Sequence, residues 1–251
     1  MLTHDAAQEW IARWDRQQEG YLPDREERFT VLIDAVEALG RPDPLVIDLG
    51  CGPGSLSARL VERLPQAKVV AVDADPLLLG LGRAAYPHLT FHSLDLRVPG
   101  WSASLGLDRP ADAAVSTTAL HWISEPELQT MYAELATVLR QGGVLLNGDH
   151  LDSDDDTPAI GRLERAVHER ETERVFANGG RPEDWREWWD AIAADPRFAE
   201  LDTARTTAGA SHHGSESHLL SQHVEALRKA GFAEVGTLWQ RGNNRLLCAV
   251  R

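Results

Sequence analysis

The stretch Val46-Ile-Asp-Leu-Gly-Cys-Gly-Pro-Gly54 constrains this chain more than any other nine residues. An apolar run long enough for a short strand gives way to glycines at alternate positions, 50, 52 and 54. Glycine has no Cβ, so such a loop turns sharply and lets another group approach its main chain. One tight turn rarely needs three of them. The helical pattern that begins at Ser55 brings free N–H groups and a positive dipole end to the same place, which suits a carboxylate or phosphate. In open α/β sheets the crevice beyond the carboxyl end of such a strand is where ligands bind.

The rest of the chain repeats the strand and helix alternation. Trp10, Ile11 and Trp14 predict an amphipathic helix over residues 4–18, and a second, capped by Asp24, runs to about Leu39. Strands are predicted at Leu45–Leu49, Lys68–Val72, Thr90–His92, Ala111–Ser116 and Val144–Asn147. Helices are predicted at Ser55–Leu64, Pro76–Ala85 and Glu127–Leu139. Strands this apolar, separated by helices, argue for a parallel sheet covered on both faces. The rhythm breaks at the acidic loop 152–158. Two helices are predicted after it, about Ile160–Phe176 and Pro182–Ala194. Residues 201–216 show no clear period. A helix over Gln222–Ala230 and two strands, Ala233–Gln240 and Asn244–Val250, joined through Arg241-Gly242-Asn243, complete the chain.

The formal net charge is −14, and residues 151–200 hold fourteen acidic and seven basic side chains, net −7. A surface of that sign repels phosphate backbones, so nucleic acid is not an expected partner. No apolar stretch approaches the roughly 20 residues of a membrane helix. The N-terminal segment lacks the basic-then-apolar plan of a signal peptide, and the only cysteines, Cys51 and Cys248, make no disulfide framework. A cytoplasmic location is the expectation. His212, His213, His218 and His223 do not share a helix face as metal ligands do, so no metal is expected.

Spacing separates the remaining possibilities. A dinucleotide site wants Gly-x-Gly-x-x-Gly, whereas here the third glycine falls one residue early, with Ser55 in its place. Asp48-Leu-Gly50-Cys-Gly52-Pro-Gly54 instead resembles motif I of class I S-adenosylmethionine-dependent methyltransferases. The segments "VVAVDADP", "FHSLDLR", "DAAVSTTALHWIS", "LRQGGVLLNGD" and "LRKAGFAEV" resemble that family's later motifs, in family order, over residues 40–150 and 219–251. "ALHW" and the tryptophan-bearing N-terminal helices look similar to the group of trans-aconitate and bacterial natural-product methyltransferases.

The resemblance implies a Rossmann-like α/β fold. Its seven-stranded mixed sheet has the last strand antiparallel, N-terminal helices cover it, and a helical insert follows strand five. Four regions are expected: a helical cover (1–40), a cofactor-binding core (41–150), a substrate insert or lid (151–216), and a terminal helix and hairpin (217–251). S-adenosylmethionine is the implied cofactor. Asp73 would accept both ribose hydroxyls, with Ala74 beside it, and Asp95 and Leu96 would meet the adenine. Gly50, Cys51, Gly52, Gly54 and Thr117 would line the rest of that site. Asp48 serves either the ligand or the loop. The backbone N–H of Cys51 matters more than its sulfur. Arg25 and Arg28 are placed to reach the methionine carboxylate, and Arg28 is counted in the set. His121 is the candidate base, and His121, Trp122, Trp185 and His213 are the candidate acceptor contacts. Trp185, Trp188 and Trp189 fall at i, i+3, i+4, a stripe whose default role is core packing.

The implied activity is methyl transfer to an O, N or C atom of a small molecule. Two alternatives stand beside it: a cofactor-binding partner without catalysis, and a nicotinamide-dependent oxidoreductase. An RNA or protein methyltransferase is disfavoured by charge, and by Ser116-Thr-Thr-Ala119 in place of an Asn/Asp-Pro-Pro-Tyr motif after strand four.

Overall fold

The computed structural model describes residues 2–154, 156–177, 179–209 and 219–251. Helices α1 (His4–Glu19) and α2 (Arg25–Glu37) precede the alternating core. That core comprises β1 (Leu45–Leu49), α3 (Ser55–Arg63), β2 (Lys68–Asp73), α4 (Pro76–Ala85), β3 (Thr90–Ser93), β4 (Ala111–Thr117), α5 (Glu125–Val138) and β5 (Leu139–His150). Three helices follow, α6 (Pro158–Phe176), α7 (Trp185–Ala194) and α8 (Ala199–Thr207). Helix α9 (Leu220–Lys229) and strands β6 (Glu234–Arg241) and β7 (Asn244–Val250) come last.

The seven strands lie in the order β3-β2-β1-β4-β5-β7-β6, and β7 runs antiparallel to both its neighbours. The chain builds outward from β1 in one direction and from β4 in the other. The order therefore reverses between these two strands, and the crevice opens at their carboxyl ends. Successive residues of β1 face opposite sides: Ile47 and Leu49 pack with α5 and α9, and Val46 packs with α2 and α3.

A separate aromatic cluster joins the insert to the N-terminal helix. Trp10 and Trp14 of α1 meet Trp188 of α7 edge-on, with ring centroids 5.7 and 4.9 Å apart. Trp188, Ile192 and Phe198 are fully buried there. Arg13 grips Glu183 with two hydrogen bonds, 2.9 and 2.6 Å long, beside this cluster.

The sheet and its flanking helices match the sequence reading, with local corrections. Asp24 stands at the start of α2 but does not cap it; its carboxylate pairs with Arg241. Strand β5 begins at Leu139, before the Gly142-Gly143 pair rather than after it. That pair falls where the register with β4 is interrupted, since Ala111 pairs with Leu139 and Ala113 with Val144. Helix α7 starts at Trp185, because Asp184 and Glu187 form a capping box there. The hairpin turn is Gly242-Asn243, with Arg241 inside β6. Helix α8 lies where no period was legible. It has no buried residue, so it carries no apolar stripe for periodicity to reveal.

Candidate active site

The glycine loop is latched to the second strand. The Gly52 N–H donates to Asp73 Oδ2 at 2.8 Å, and the Asp75 N–H donates to Asp73 Oδ1 at 2.8 Å. The Cys51 N–H donates to the Val72 carbonyl at 2.9 Å. Burial pushes the Asp73 carboxyl up to about 6, although these N–H donors oppose the shift. Each oxygen keeps a lone pair for a further donor. Gly50 has φ +68°, and a Cβ there would stand 2.4 Å from the Ala119 Cβ. Only a glycine lets the β1 loop and the turn after β4 approach so closely.

These elements enclose a cavity of about 490 Å³. Of the residues singled out from the sequence, Gly50, Cys51, Gly52, Asp73, Ala74, Asp95, Leu96, Thr117, His121, Trp122 and Trp185 line it. Gly54 does not. Its φ is +86° and a Cβ would meet Phe91 Cζ at 2.8 Å, so its smallness serves helix and strand packing. Asp48 is also off the cavity wall. It is fully buried and accepts a 2.6 Å hydrogen bond from Ser57 Oγ, tying β1 to α3 behind the loop. Burial pushes its carboxyl up to about 7. Burial and the nearby Asp73 and Asp48 also hold the Cys51 thiol well above its ordinary range, which leaves it no nucleophilic role. His213, together with His212 and His218, lies outside the described residues.

Arg28 is a second correction. It is fully buried beneath the cavity wall, where it donates to Asn244 Oδ1 at 2.6 Å and to Thr117 Oγ1. Arg25 and Arg28 lie one turn apart on the same side of α2: Arg28 reaches the sheet, against Gly148, and Arg25, at the first turn of the helix, lines the cavity. Arg25 is 3% exposed, with Nη2 3.0 Å from Asp15 Oδ1. Its Nη1 makes no hydrogen bond and lies 3.7 Å from Glu26. Asp95 is engaged as well, since Arg97 holds it through Nε and Nη2 at 2.9 and 2.8 Å. Burial raises the Asp95 carboxyl, but these bonds outweigh it and hold the group below its usual range.

At the opposite end, the single helical turn Leu120–Trp122 after β4 presents His121. Its Nδ1 lies 2.9 and 3.1 Å from the two oxygens of Asp149, a carboxylate 1% exposed at the end of β5. Burial alone would raise the Asp149 carboxyl, but His121, His150 and Arg28 bring it down to about 2. Asp149 is thus ionised and can only accept, so Nδ1 of His121 donates. Burial lowers the His121 pKa, but Asp149 outweighs that and raises it overall. Neighbouring His150 is pushed down to about 4, chiefly by burial, and is neutral. Trp122 and Trp185 stack with ring centroids 6.3 Å apart and planes inclined by 29°. The tryptophan stripe of α7 therefore divides: Trp188 and Trp189 pack in the aromatic cluster, while Trp185 faces the cavity.

Asp149 and His150 were not picked out as site residues by the sequence reading, which named Arg25 beside Arg28 but counted only Arg28 in the set. A signal for Asp149 was present. Asn147 and Asp149 follow the apolar run Val144–Leu146 and are both buried, and buried polar groups in such a place are there for a partner. Among the described residues no cluster of three or more His, Cys, Asp or Glu could hold a metal ion.

A profile of the methyltransferase-domain family matches residues 46–143. Over those residues the chain is similar to a methyltransferase domain. The trans-aconitate 2-methyltransferase of Azoarcus sp. (strain BH72) is 38% identical over 133 residues, which is 53% of this chain and 49% of that protein. The enzyme of the same name from Escherichia coli O139:H28 is 34% identical over 116 residues, 44% of this chain and 42% of that one. The chain spans about half the length of the curated relatives it matches. In fold, the domain and its additions resemble magnesium protoporphyrin IX methyltransferase from Synechocystis PCC 6803, solved with bound SAH. The TM-score is 0.58 at 18% identity, over 96% of this chain and 94% of that one. An O-methyltransferase family protein from Burkholderia thailandensis also gives 0.58, at 19% identity, over 99% of this chain and 63% of that one.

Proposed function

We propose that this protein binds S-adenosylmethionine in the crevice at β1 and β4 and transfers its methyl group to a small-molecule acceptor. The latch between Gly52 and Asp73 carries the reading. It sets a bare main chain and a carboxylate with spare lone pairs at the tips of adjacent strands. In this reading Asp73 accepts the two ribose hydroxyls. Asp95 and Leu96 border the adenine, and Gly50 to Gly52 run along the donor's sulfur. Arg25, rather than Arg28, faces the methionine carboxylate with its unengaged Nη1. The relatives named as trans-aconitate 2-methyltransferases support both the donor and a small acceptor.

The sulfonium is already an activated donor, so the protein's task is alignment and exclusion of water. Well-oriented reactants gain about 7–11 kcal/mol in this way. In this reading α1, α2 and α7 cover the cavity, and β1–β5 with α9, β6 and β7 belong to the core. The charge of −14 speaks against nucleic acid as acceptor. Among the described residues no helix is long and apolar enough to cross a membrane, and with two free cysteines the reducing cytoplasm is the proposed location. Calorimetry with S-adenosylhomocysteine and with NAD tests the cofactor: only the first is expected to bind. Transfer of labelled methyl to a panel of small acceptors tests the activity, and cofactor binding with no transfer across the panel would favour a non-catalytic role.

A further inference from the structure

The acceptor end of the cavity holds a histidine whose tautomer and orientation are fixed from behind. Asp149 occupies Nδ1 of His121, which leaves the Nε2 lone pair as the reactive face of a ring that is 19% exposed and lines the cavity. The charge around the pair is nearly balanced without a proton on that lone pair. Arg28, a buried cation on α2, lies near enough to help hold the Asp149 carboxyl ionised, and His150 is neutral. A neutral His121 therefore leaves the group close to zero net charge. A protonated one is stabilised by Asp149 and opposed by Arg28. That balance suits a base that takes a proton and gives it back.

The surroundings narrow the acceptor. Trp122 and Trp185 give the cavity an aromatic wall next to His121, and flat rings stack favourably on such a wall. A carboxylate acceptor needs no base and would want a cation instead. Of the two arginines that line the cavity, Arg25 faces the methionine carboxylate of the cofactor in the reading above, and Arg97 is held by Asp95.

We propose that His121 is the general base for a weakly acidic hydroxyl on a flat, aromatic acceptor, with Asp149 as its positioning residue. The proposal rests on the methyl-transfer reading above. The hydroxyl proton passes to Nε2 of His121 as the oxygen lone pair forms a bond to the methyl carbon. The bond from sulfur to that carbon breaks, and its electron pair stays on sulfur, leaving a neutral thioether. The imidazolium then releases its proton to solvent.

The test compares the wild type with His121→Gln and Asp149→Asn on unsubstituted phenol and catechol, protonated at neutral pH, and on a nitrophenol already ionised at the assay pH. Binding of S-adenosylhomocysteine by calorimetry and a thermal melt control for folding. His121→Gln is expected to lower kcat/KM on the protonated acceptors by about 100-fold or more, with little change on the ionised one and unchanged cofactor affinity. Asp149→Asn keeps an acceptor for Nδ1–H but removes the charge that raises the His121 pKa. It should move the acid limb of the kcat/KM profile to lower pH, which a purely structural role would not do. Equal losses on protonated and ionised acceptors, or an unmoved acid limb, would overturn the base assignment. Cofactor binding without turnover of any hydroxylated ring by the wild type would overturn the acceptor class. Failure of S-adenosylhomocysteine to bind the wild type would instead remove the methyl-transfer reading, and the base with it.

Discussion

Asp75 holds two helices at once: its Oδ1 accepts the N–H groups of Leu77 and Leu78 at the start of α4, and its Oδ2 accepts Arg205 Nε of α8 at 2.8 Å. Arg205 also lies over the Trp189 ring, 3.9 Å from its centroid. One carboxylate on the rim of the cavity thus ties the insert to the core. Arg205→Ala would strand one oxygen of a carboxylate that is 1% exposed. A loss of about 1.5–3 kcal/mol is expected in urea unfolding. A change within experimental error would mean that α8 is held by Leu201 against Gly80 alone.

Asp73 makes cofactor affinity depend on pH. The carboxyl titrates at about 6 in the folded protein, raised mainly by burial. Only the ionised form accepts two hydroxyls, so affinity for S-adenosylhomocysteine should climb from pH 5 to pH 7 and level off above. Asp73→Ala should weaken binding by more than about ten-fold at pH 7.5, in keeping with two lost hydrogen bonds to a charged group. A pH-independent affinity measured by calorimetry would place the ribose elsewhere.

The core of the fold was legible in the sequence where burial imposed a pattern. Leu45–Leu49, Pro76–Ala85 and Asn244–Val250 are predicted to the residue, because an apolar run or a capping aspartate before proline marks each one. What stayed hidden has physical causes. Helix α8 carries no buried side chain, so its only anchors are tertiary. Asp24 looks like a cap because capping depends on local sequence, whereas its partner Arg241 is 217 residues away. Arg25 and Arg28 share one side of α2, so the choice between them turns on position along the helix axis, which residue type does not reveal. Asp149 was visible as a polar residue in a buried strand, but its partner His121 comes from another element.

Gly50 and Gly236 should differ sharply in their response to the same change. At Gly50, alanine must adopt φ +68° and place its Cβ 2.4 Å from the Ala119 Cβ, which displaces the turn that carries His121. The left-handed backbone alone costs about 1–2 kcal/mol, and the overlap adds about 1–3 kcal/mol. At Gly236 a Cβ meets nothing within 4 Å and φ is ordinary, so alanine should change stability by less than about 0.5 kcal/mol. Denaturant titration of both variants checks the contrast. A well-folded Gly50→Ala protein with full cofactor affinity would show that the loop needs no such close approach.

Asp48 predicts a stability that falls as pH rises. Its folded pKa, about 7, lies above the ordinary 3.8, chiefly because burial penalises the charge. A raised carboxyl favours folding most below its unfolded pKa, and that advantage is lost as pH climbs through 7. Asp48→Asn removes the titrating charge and keeps a group that can bond Ser57 Oγ. The variant should therefore gain melting temperature relative to wild type at pH 8 and show little difference at pH 4. Parallel melting curves across that range would mean that the carboxylate is solvated or paired in solution.

Trp188 and Trp185, one helical turn apart on α7, should separate stability from acceptor recognition. Trp188 is fully buried and meets Trp10, Trp14 and Trp189 with ring centroids 4.9 to 5.7 Å away. Truncating a core tryptophan to alanine costs about 3–5 kcal/mol, because the cavity it leaves cannot fully collapse. Trp188→Ala should lower the unfolding free energy by that order and loosen α1 from α7. Trp185 faces the cavity and stacks on Trp122. Trp185→Ala should cost less than half as much in stability and raise KM for the acceptor more than it lowers kcat, since the ring contributes binding rather than chemistry. The decisive comparison is urea unfolding of both variants beside steady-state kinetics on one hydroxylated ring. If Trp185→Ala proves the more destabilising of the two, or leaves KM unchanged, the division of labour along this helix is wrong.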